Sequence, residues 1–261
     1  MSSTSLPDLR INKKVLLEGS IKEELNKLFY VEPKYQEELQ MLRHQYAHEE
    51  KERSGLHASS ITGASKNFCY REQVISILHR EFKQKNKSVP KMIKSEFERT
   101  QREIKIPTHL ARIFEEGKSI GTKWQRLFTR AEIGEKEDMD VLRFHKKYDL
   151  IYTPDAIITL NDKKYVVEIK SMNHDGFQKA KSHPTGQKQL KLYMYMEGID
   201  DGFVLVDNKN TSDFKILIEN DVNESDEHIA EYLHKLEKIQ RLKEKTLKTK
   251  RLPPCKCPKC K

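Results

Sequence analysis

No stretch of the 261 residues is apolar for long enough to cross a membrane, and the opening residues lack the apolar core of a secretion signal. Membrane-spanning and secreted classes are therefore set aside, and the cytoplasm is the expected compartment. Cysteine is scarce, four residues in all. In a reducing compartment these are thiols or metal ligands rather than disulfides. No segment repeats another, which excludes a repeat architecture.

What is present is charge. The chain is 34% charged and 36% hydrophobic, and its formal net charge is +9. A basic excess of this kind favours polyanionic partners, nucleic acid foremost. The length allows one large domain, or one with appendages, and suffices for a sizeable core.

Apolar periodicity organises the chain. Residues 1–10 read as disordered, and residues 14–53 carry helical spacing interrupted at Pro33. Ser59 to Gly63 reads as a turn. A helix is expected from Cys69 or Tyr70 to about Phe82, then a lysine-rich loop over 83–91. Residues 109–130 form the strongest helix, with Leu110, Ile113, Phe114, Ile120, Trp124, Leu127 and Phe128 near one face. Gly117 and Gly121 inside it suggest close packing on a sheet. Strands are expected at 141–145, 150–159, 164–171, 202–207 and 214–219. Helices are expected from Pro184 to Met196 and from about Glu224 to Lys245. A helix between strands implies an α/β fold, a central mixed sheet with helices on its faces.

Within that pattern two apolar runs joined by Asn161-Asp162-Lys163-Lys164 read as a hairpin. Asp155 opens the first strand. On the second, Glu168 and Lys170 share a face while Ile169 points to the other. Two carboxylates and an ammonium then converge at one end of a sheet. Such oxygens suit Mg²⁺ or Mn²⁺, and the lysine offers charge to a developing anion, a minimal arrangement for cutting phosphodiesters. The plain alternative is a solvated hairpin face. Against it, Glu168 and Lys170 interrupt the apolar run of Val166, Val167 and Ile169, and buried charges are rare unless paired or metal-bound.

The cysteines are unevenly placed. Cys69 stands alone, while Cys255, Cys257 and Cys260 crowd the final residues. Three thiolates can surround one centre, and Cys69 is the one cysteine left to complete it. Four thiolates suit Zn²⁺ or an iron–sulfur cluster. The alternative is a flexible tail with unrelated thiols, which would be prone to oxidation. From Lys235 to Lys261 the chain carries eleven Lys and Arg against two Glu. Such a helix and tail, including Lys248, Lys250 and Arg251, can follow phosphates, or can be an ordinary solvated face. Lys179 and Lys181, with His174 and His183, follow Lys170 and are candidates to contact DNA. Trp124 can stack a base, but its helical spacing favours the core.

Taken together these residues resemble the PD-(D/E)xK nuclease superfamily, and within it the RecB-like iron–sulfur exonucleases of CRISPR loci and phages. Pro154 and Asp155 match the metal-binding aspartate, Glu168-Ile169-Lys170 the Glu-x-Lys motif, and Gln189 to Tyr193 the Gln-x-x-x-Tyr motif. Cys69 with the three terminal cysteines resembles the one-plus-three cluster arrangement. The similarity covers roughly residues 55–261 by motif order. It implies a restriction-endonuclease-like core at 56–250, a helical extension at 1–55, and a tail at 251–261 closing a 4Fe–4S cluster (or a Zn²⁺ site) with Cys69. It further implies Mg²⁺ or Mn²⁺ on Asp155, Glu168 and the Ile169 carbonyl, with Lys170, Gln189 and Tyr193 completing the catalytic set. The implied activity is exonucleolytic hydrolysis of DNA, single-stranded at its ends, alongside phage replication or recombination proteins in a bacterial host cell. Two departures stand out. The family's Gly-x-x-x-His pattern has Gly121 where the metal-binding histidine belongs, leaving His109, Glu115 and Glu116 as candidate substitutes. The cysteine spacing is also tighter than usual. An adaptor on a decayed nuclease fold, and a zinc-binding interaction module on an unrelated α/β domain, are the competing readings.

Overall fold

A computed structural model describes residues 17–25, 55–63, 68–100, 108–211, 213–255 and 257. In chain order they form α1 (residues 17–25), β1 (Leu56–His57), α2 (Ala58–Thr62), α3 (Tyr70–Gln84), α4 (Lys91–Thr100) and α5 (Thr108–Arg130). A 3₁₀ turn (Lys136–Asp138), β2 (Arg143–His145), β3 (Leu150–Tyr152), β4 (Ala156–Leu160) and β5 (Lys163–Met172) follow. The remaining elements are α6 (His174–Lys179), α7 (Pro184–Glu197), β6 (Asp201–Asn208), β7 (Phe214–Asn220) and α8 (Glu227–Thr249). The fold is mixed α/β. Among the described residues, no helix is long and apolar enough to cross a membrane.

Two compact units are each gathered from separate chain segments. The first holds α1, α5 and β4–β7 with α6 and α7. Its sheet runs β4-β5-β6-β7, with the central pair β5-β6 parallel and both outer pairs antiparallel. The β4–β5 hairpin turns at Asn161 and Asp162, both at positive φ (51° and 60°), the conformation a type I′ turn requires and these residue types tolerate. Alternation along β5 gives the sheet two apolar faces. Tyr165, Val167 and Ile169 join Phe203 and Leu205 of β6 beneath Ile120, Trp124 and Phe128 of α5, and Ile21 and Leu25 of α1 join the same core. Truncating a buried side chain such as Phe203 to alanine would cost about 3–5 kcal/mol. Val166 and Val204 face the other way, where α7 covers β5 and β6. Helix α7 begins with the His183 side chain capping Gly186, has Pro184 in its first turn, and ends at Gly198 in the left-handed region (φ 65°).

The second unit holds β1–β3, α2–α4 and α8. Its three-stranded sheet runs β1-β3-β2, parallel then antiparallel. Helix α8 is capped by Asp226, which accepts from His228 and Ile229, and buries Ile229, Tyr232, Leu236 and Ile239.

Several expectations are corrected. The single strand expected over 150–159 is two: β3 pairs with β1 and β2, whereas β4 pairs with β5. Pro154 between them has no N–H to give a ladder, and it constrains Thr153. The expected turn at Ser59–Gly63 is mostly the short helix α2, which buries Ile61. Helix α4 is an addition. Its composition reads as polar, yet Ile93 and Phe97, one turn apart, are buried, and Phe97 stacks on His79 with ring centroids 3.8 Å apart. The segment after Lys170 contains α6 rather than loop alone. Among the described residues, Gly117 and Gly121 mark no close contact, since a Cβ at either would meet none of their atoms within 4 Å. Close approach occurs instead at Gly202, where a Cβ would lie 2.8 Å from Met194 Sδ and 2.9 Å from Leu190 Cδ1 of α7. Leu110, Ile113 and Phe114, named for the apolar face of α5, lie outside the described side chains, as does most of residues 1–53.

Candidate active site

Strand β5 is ten residues long and β4 only five, so the ladder between them stops at the pair Ala156–Val167. Beyond Val167 the β4 side of β5 is open. Asp155, immediately before β4, fills the vacated position: its Oδ2 accepts the Ile169 N–H at 2.6 Å. The N–H and C=O of one strand residue project to the same lateral edge. The Ile169 carbonyl therefore shares that edge with the Asp155 carboxylate. Asp155 is held in turn by its own carbonyl, which accepts from Gln125 Nε2 of α5 at 2.8 Å and from the Asp140 N–H at 3.2 Å.

Glu168 and Lys170 lie on the α7 face of β5, paired with Val204 and Val206 of β6. The Lys170 ammonium is ion-paired with Glu168. Glu168 is 3% exposed, although carboxylates are seldom buried. Burial, and after it the charge of Asp155, pushes Glu168 up to about 8, with Lys170 opposing. Burial likewise pushes Asp155 up to about 6, with Lys170 and the Ile169 N–H opposing and Asp140 reinforcing. Lys170 is raised: burial works against its charge, but the two carboxylates outweigh it. Two carboxylates thus share one cation, and burial shifts both towards the protonated state.

Tyr193 of α7 is buried, and its hydroxyl is pushed well above the ordinary range by burial and then by the charges of Glu168 and Asp155. The side chain of Gln189, one turn earlier, hydrogen-bonds it and opposes that shift. Tyr193 is thus both a core residue by its ring and a neighbour of the carboxylates by its hydroxyl. The expected catalytic set of Asp155, Glu168, Lys170, Gln189 and Tyr193 therefore comes together, with the Ile169 carbonyl at its edge.

The position of the absent histidine is informative. Gly121 stands one helical turn before Gln125, the residue that holds the Asp155 carbonyl, so it lies on the same side of α5. Among the described residues, an added Cβ there would meet nothing within 4 Å beyond its own helix. Of the candidate substitutes, Glu116 pairs with Lys209 at 3.0 Å, and the side chains of His109 and Glu115 lie outside the described residues. Trp124 is a core residue: it packs edge-on against Phe214, and its Nε1 donates to Asp207 at 2.8 Å.

Reading the sequence missed Gln125, Asp140, Gln187 and Glu219, and named His183 as a candidate to contact DNA but not as a helix cap. A short polar side chain signals nothing by itself in a sequence. For His183 a signal existed, since a polar residue directly before Pro184 marks a helix start.

The second unit carries the cysteine centre. Sulfur atoms of Cys69, Cys255 and Cys257 all lie within 4.8 Å of one another, with Cys69 and Cys255 at 3.6 Å. Cys69 caps α3, its Sγ accepting the Glu72 N–H at 3.4 Å, and the Cys257 N–H donates to Cys255 Sγ at 3.4 Å. N–H donors to sulfur suit metal-bound thiolates. The fourth expected ligand, Cys260, lies outside the described residues.

Among the expected nucleic-acid contacts, Lys179, Lys181, Lys248, Lys250 and Arg251 are exposed. Two other members of the basic run are used internally. Lys235 donates to the Ile61 carbonyl at 3.2 Å, and Lys243 pairs with Glu81 at 2.7 Å and Asp149 at 2.5 Å.

No family model and no curated protein matches the chain. Solved structures similar to it include that of SSO0001, at 16% identity and a TM-score of 0.39, covering 80% of this chain and 85% of that one. Another is LHK-Exo in complex with dAMP, at 16% identity and a TM-score of 0.45, covering 75% and 94%.

Proposed function

We propose that the chain is a divalent-metal-dependent phosphodiesterase acting on DNA. The observation that carries this reading is the convergence of Asp155, Glu168 and the Ile169 carbonyl edge beside Lys170, where β5 outruns β4. The donor chemistry fits a hard divalent cation. Two carboxylates are held together at the expense of their ionisation, and all the donors are oxygens. Asp155, Glu168 and the Ile169 carbonyl would hold Mg²⁺ or Mn²⁺, which when bound neutralises a phosphate and lowers the pKa of bound water.

The remaining roles belong to the chain. The Ile169 N–H and the Gln125 amide fix Asp155, so its carboxylate does not need to reorganise on binding. Lys170 balances the carboxylates before substrate arrives and offers its ammonium to the phosphoryl oxygens as charge builds there. The Tyr193 hydroxyl stays neutral and can donate a hydrogen bond, oriented by Gln189. Exposed Lys179, Lys181, Lys248, Lys250 and Arg251 supply non-specific affinity for the phosphate backbone. Cys69, Cys255 and Cys257, with Cys260, would hold a 4Fe–4S cluster or Zn²⁺ as a structural tie.

Preference for single-stranded ends, exonucleolytic action and a phage or mobile-element setting rest on the motif resemblance. Gly121 in the histidine position favours one competing reading, a DNA-binding adaptor on a nuclease fold that has lost its activity. One experiment separates the two: anaerobically purified protein with end-labelled single-stranded DNA and Mn²⁺, beside Lys170→Ala. Cleavage that the variant loses by about 10²–10³-fold supports hydrolysis at this site. Equal cleavage by both proteins sinks it, and binding without cleavage favours the adaptor.

A further inference from the structure

His183 caps α7, yet imidazole is not among the side chains that helix starts favour; asparagine, aspartate and serine serve better. Its Nδ1 accepts the Gly186 N–H at 3.0 Å. An accepting Nδ1 carries no hydrogen, so in the neutral ring the hydrogen sits on Nε2. The cap is anchored from its other side as well. The His183 N–H donates to Gln187 Oε1 at 3.0 Å, and Gln187 Nε2 donates to Glu219 Oε1 of β7 at 2.7 Å. This first turn of α7 lies against Lys170. A Cβ on Gly186 would stand 3.2 Å from Lys170 Cγ and 3.1 Å from Val204 Cγ1, so glycine is what permits the approach. Burial, and then the Lys170 charge, holds the His183 imidazole below its ordinary range, which keeps it neutral near pH 7.

We infer that His183 is a further substrate-contacting residue, its Nε2–H donating to a phosphate oxygen of the DNA strand beside the Lys170 ammonium. This rests on the hydrolytic reading of the site. An aspartate would satisfy the Gly186 N–H but carry no donor, and a serine or an asparagine capping through its oxygen would hold its donor on a shorter arm, short of the place of Nε2. Imidazole alone among good acceptors combines a capping nitrogen with a second, hydrogen-bearing one. Being neutral, it adds a directional donor without a second positive charge pressing on Lys170. Gln187 and Glu219 act through it as positioning residues.

The test uses His183→Asn and His183→Asp, both of which keep a capping oxygen. Melting temperature, affinity for a fluorescein-labelled single-stranded oligonucleotide in Ca²⁺, and Mn²⁺-dependent cleavage are measured on the full chain. The expected result is an unchanged melting temperature with oligonucleotide affinity and kcat/KM each lower by about tenfold, the worth of one hydrogen bond to a charged group. Wild-type cleavage and binding in His183→Asn would overturn the inference and leave a cap alone. If both variants melt early, the ring ¹⁵N signals of wild-type His183 decide. A hydrogen on Nε2 whose resonance moves on oligonucleotide addition supports the contact, and an unmoved signal or a hydrogen on Nδ1 overturns it. A wild type that binds but does not cleave, with His183→Asn binding more weakly, would fail the hydrolytic reading and keep the contact. A wild type that neither binds nor cleaves would fail both.

Discussion

On the proposed reading, the carboxylate site and the cysteine centre would solve the same problem, gathering ligands for a cation, by opposite means. Asp155 directly precedes β4 and Glu168 lies on β5 of the same hairpin, so the sheet that forms around them brings them together whether or not an ion is present. The consequence is visible in their ionisation, since both are pushed towards the protonated state. Cys69 and Cys255 are 186 residues apart in sequence, one at a helix cap and one in the final described segment. An ion there closes a very long loop, and its binding free energy becomes folding free energy. The first site is preorganised and electrostatically strained; the second is a tie whose stability depends on what it holds.

The largest effect expected from breaking this contrast is on catalysis. Glu168→Gln should reduce DNA cleavage by at least about 10²-fold, by analogy with the loss of one electrostatic group from a preorganised site. It should also raise the melting temperature of metal-free protein at pH 8 to 9, because a neutral amide removes a buried charge. A variant that is both inactive and less stable would contradict the account of strain. Cys69→Ser should do the reverse, with little direct effect on the carboxylates but a large loss of stability. Where metal exceeds its Kd by about 1,000-fold, the lost linkage is about 4 kcal/mol. At 2–4 °C per kcal/mol for a chain of this size, that is a drop of roughly 8–16 °C. Metal content by elemental analysis and thermal melting of the variant check both parts, and the visible spectrum distinguishes an iron–sulfur cluster from zinc.

The pH dependence sharpens the same contrast. Glu168 titrates near 8 in the folded chain and near 4.5 in the unfolded one, and Asp155 near 6 against 3.8. The folded state therefore holds more protons than the unfolded state between those limits. The stability these groups contribute is complete below their unfolded values and is lost as pH rises through about 6 and then about 8. Metal-free protein should melt progressively earlier from pH 5 to 9 on this account, and Mn²⁺ should recover more of the loss at the alkaline end. Melting curves in EDTA and in Mn²⁺ across that range test it, and Glu168→Gln should flatten the EDTA series.

The first unit was the more legible of the two in sequence. Alternation at Val166 to Lys170 fixes which side chains share a face, and the Asn161-Asp162 turn fixes the hairpin register, so Asp155 and Glu168 could be brought together from local pattern alone. Helix α7 was legible for a similar reason, with Pro184 at its start and Gly198 at its end. The second unit was harder. Its strands are two and three residues long, too short to show alternation, and the run over 150–159 hides a change of sheet at Pro154. Helix α4 buries only Ile93 and Phe97, two apolar positions that are easily passed over in a polar, lysine-rich stretch. Contacts such as Gln125 to the Asp155 carbonyl and Gln187 to Glu219 depend on packing between distant segments, which no local pattern encodes.

The smallest expected effect concerns Gly121, where the motif resemblance would place a metal-binding histidine. Glycine within a helix costs about 1 kcal/mol relative to alanine, and it is usually retained where something lies against it. Among the described residues, no atom outside the helix's own backbone and the adjoining residues lies within 4 Å of a Cβ built on Gly121. Gly121→Ala should therefore raise stability by up to about 1 kcal/mol, a few degrees in melting temperature. Gly121→His should also fold, because the backbone position has room. Its imidazole would start from the side of α5 that holds Asp155, so Mn²⁺ affinity by calorimetry should rise several-fold over Gly121→Ala. Equal affinity in the two variants would mean that position 121 does not reach the ion. Two carboxylates and a main-chain carbonyl would then be the ligands that the described residues offer, with Lys170 and the substrate phosphate supplying the rest of the charge balance. A rise would show instead that the site is one ligand short, and that the strain on Asp155 and Glu168 compensates by making them avid for the ion.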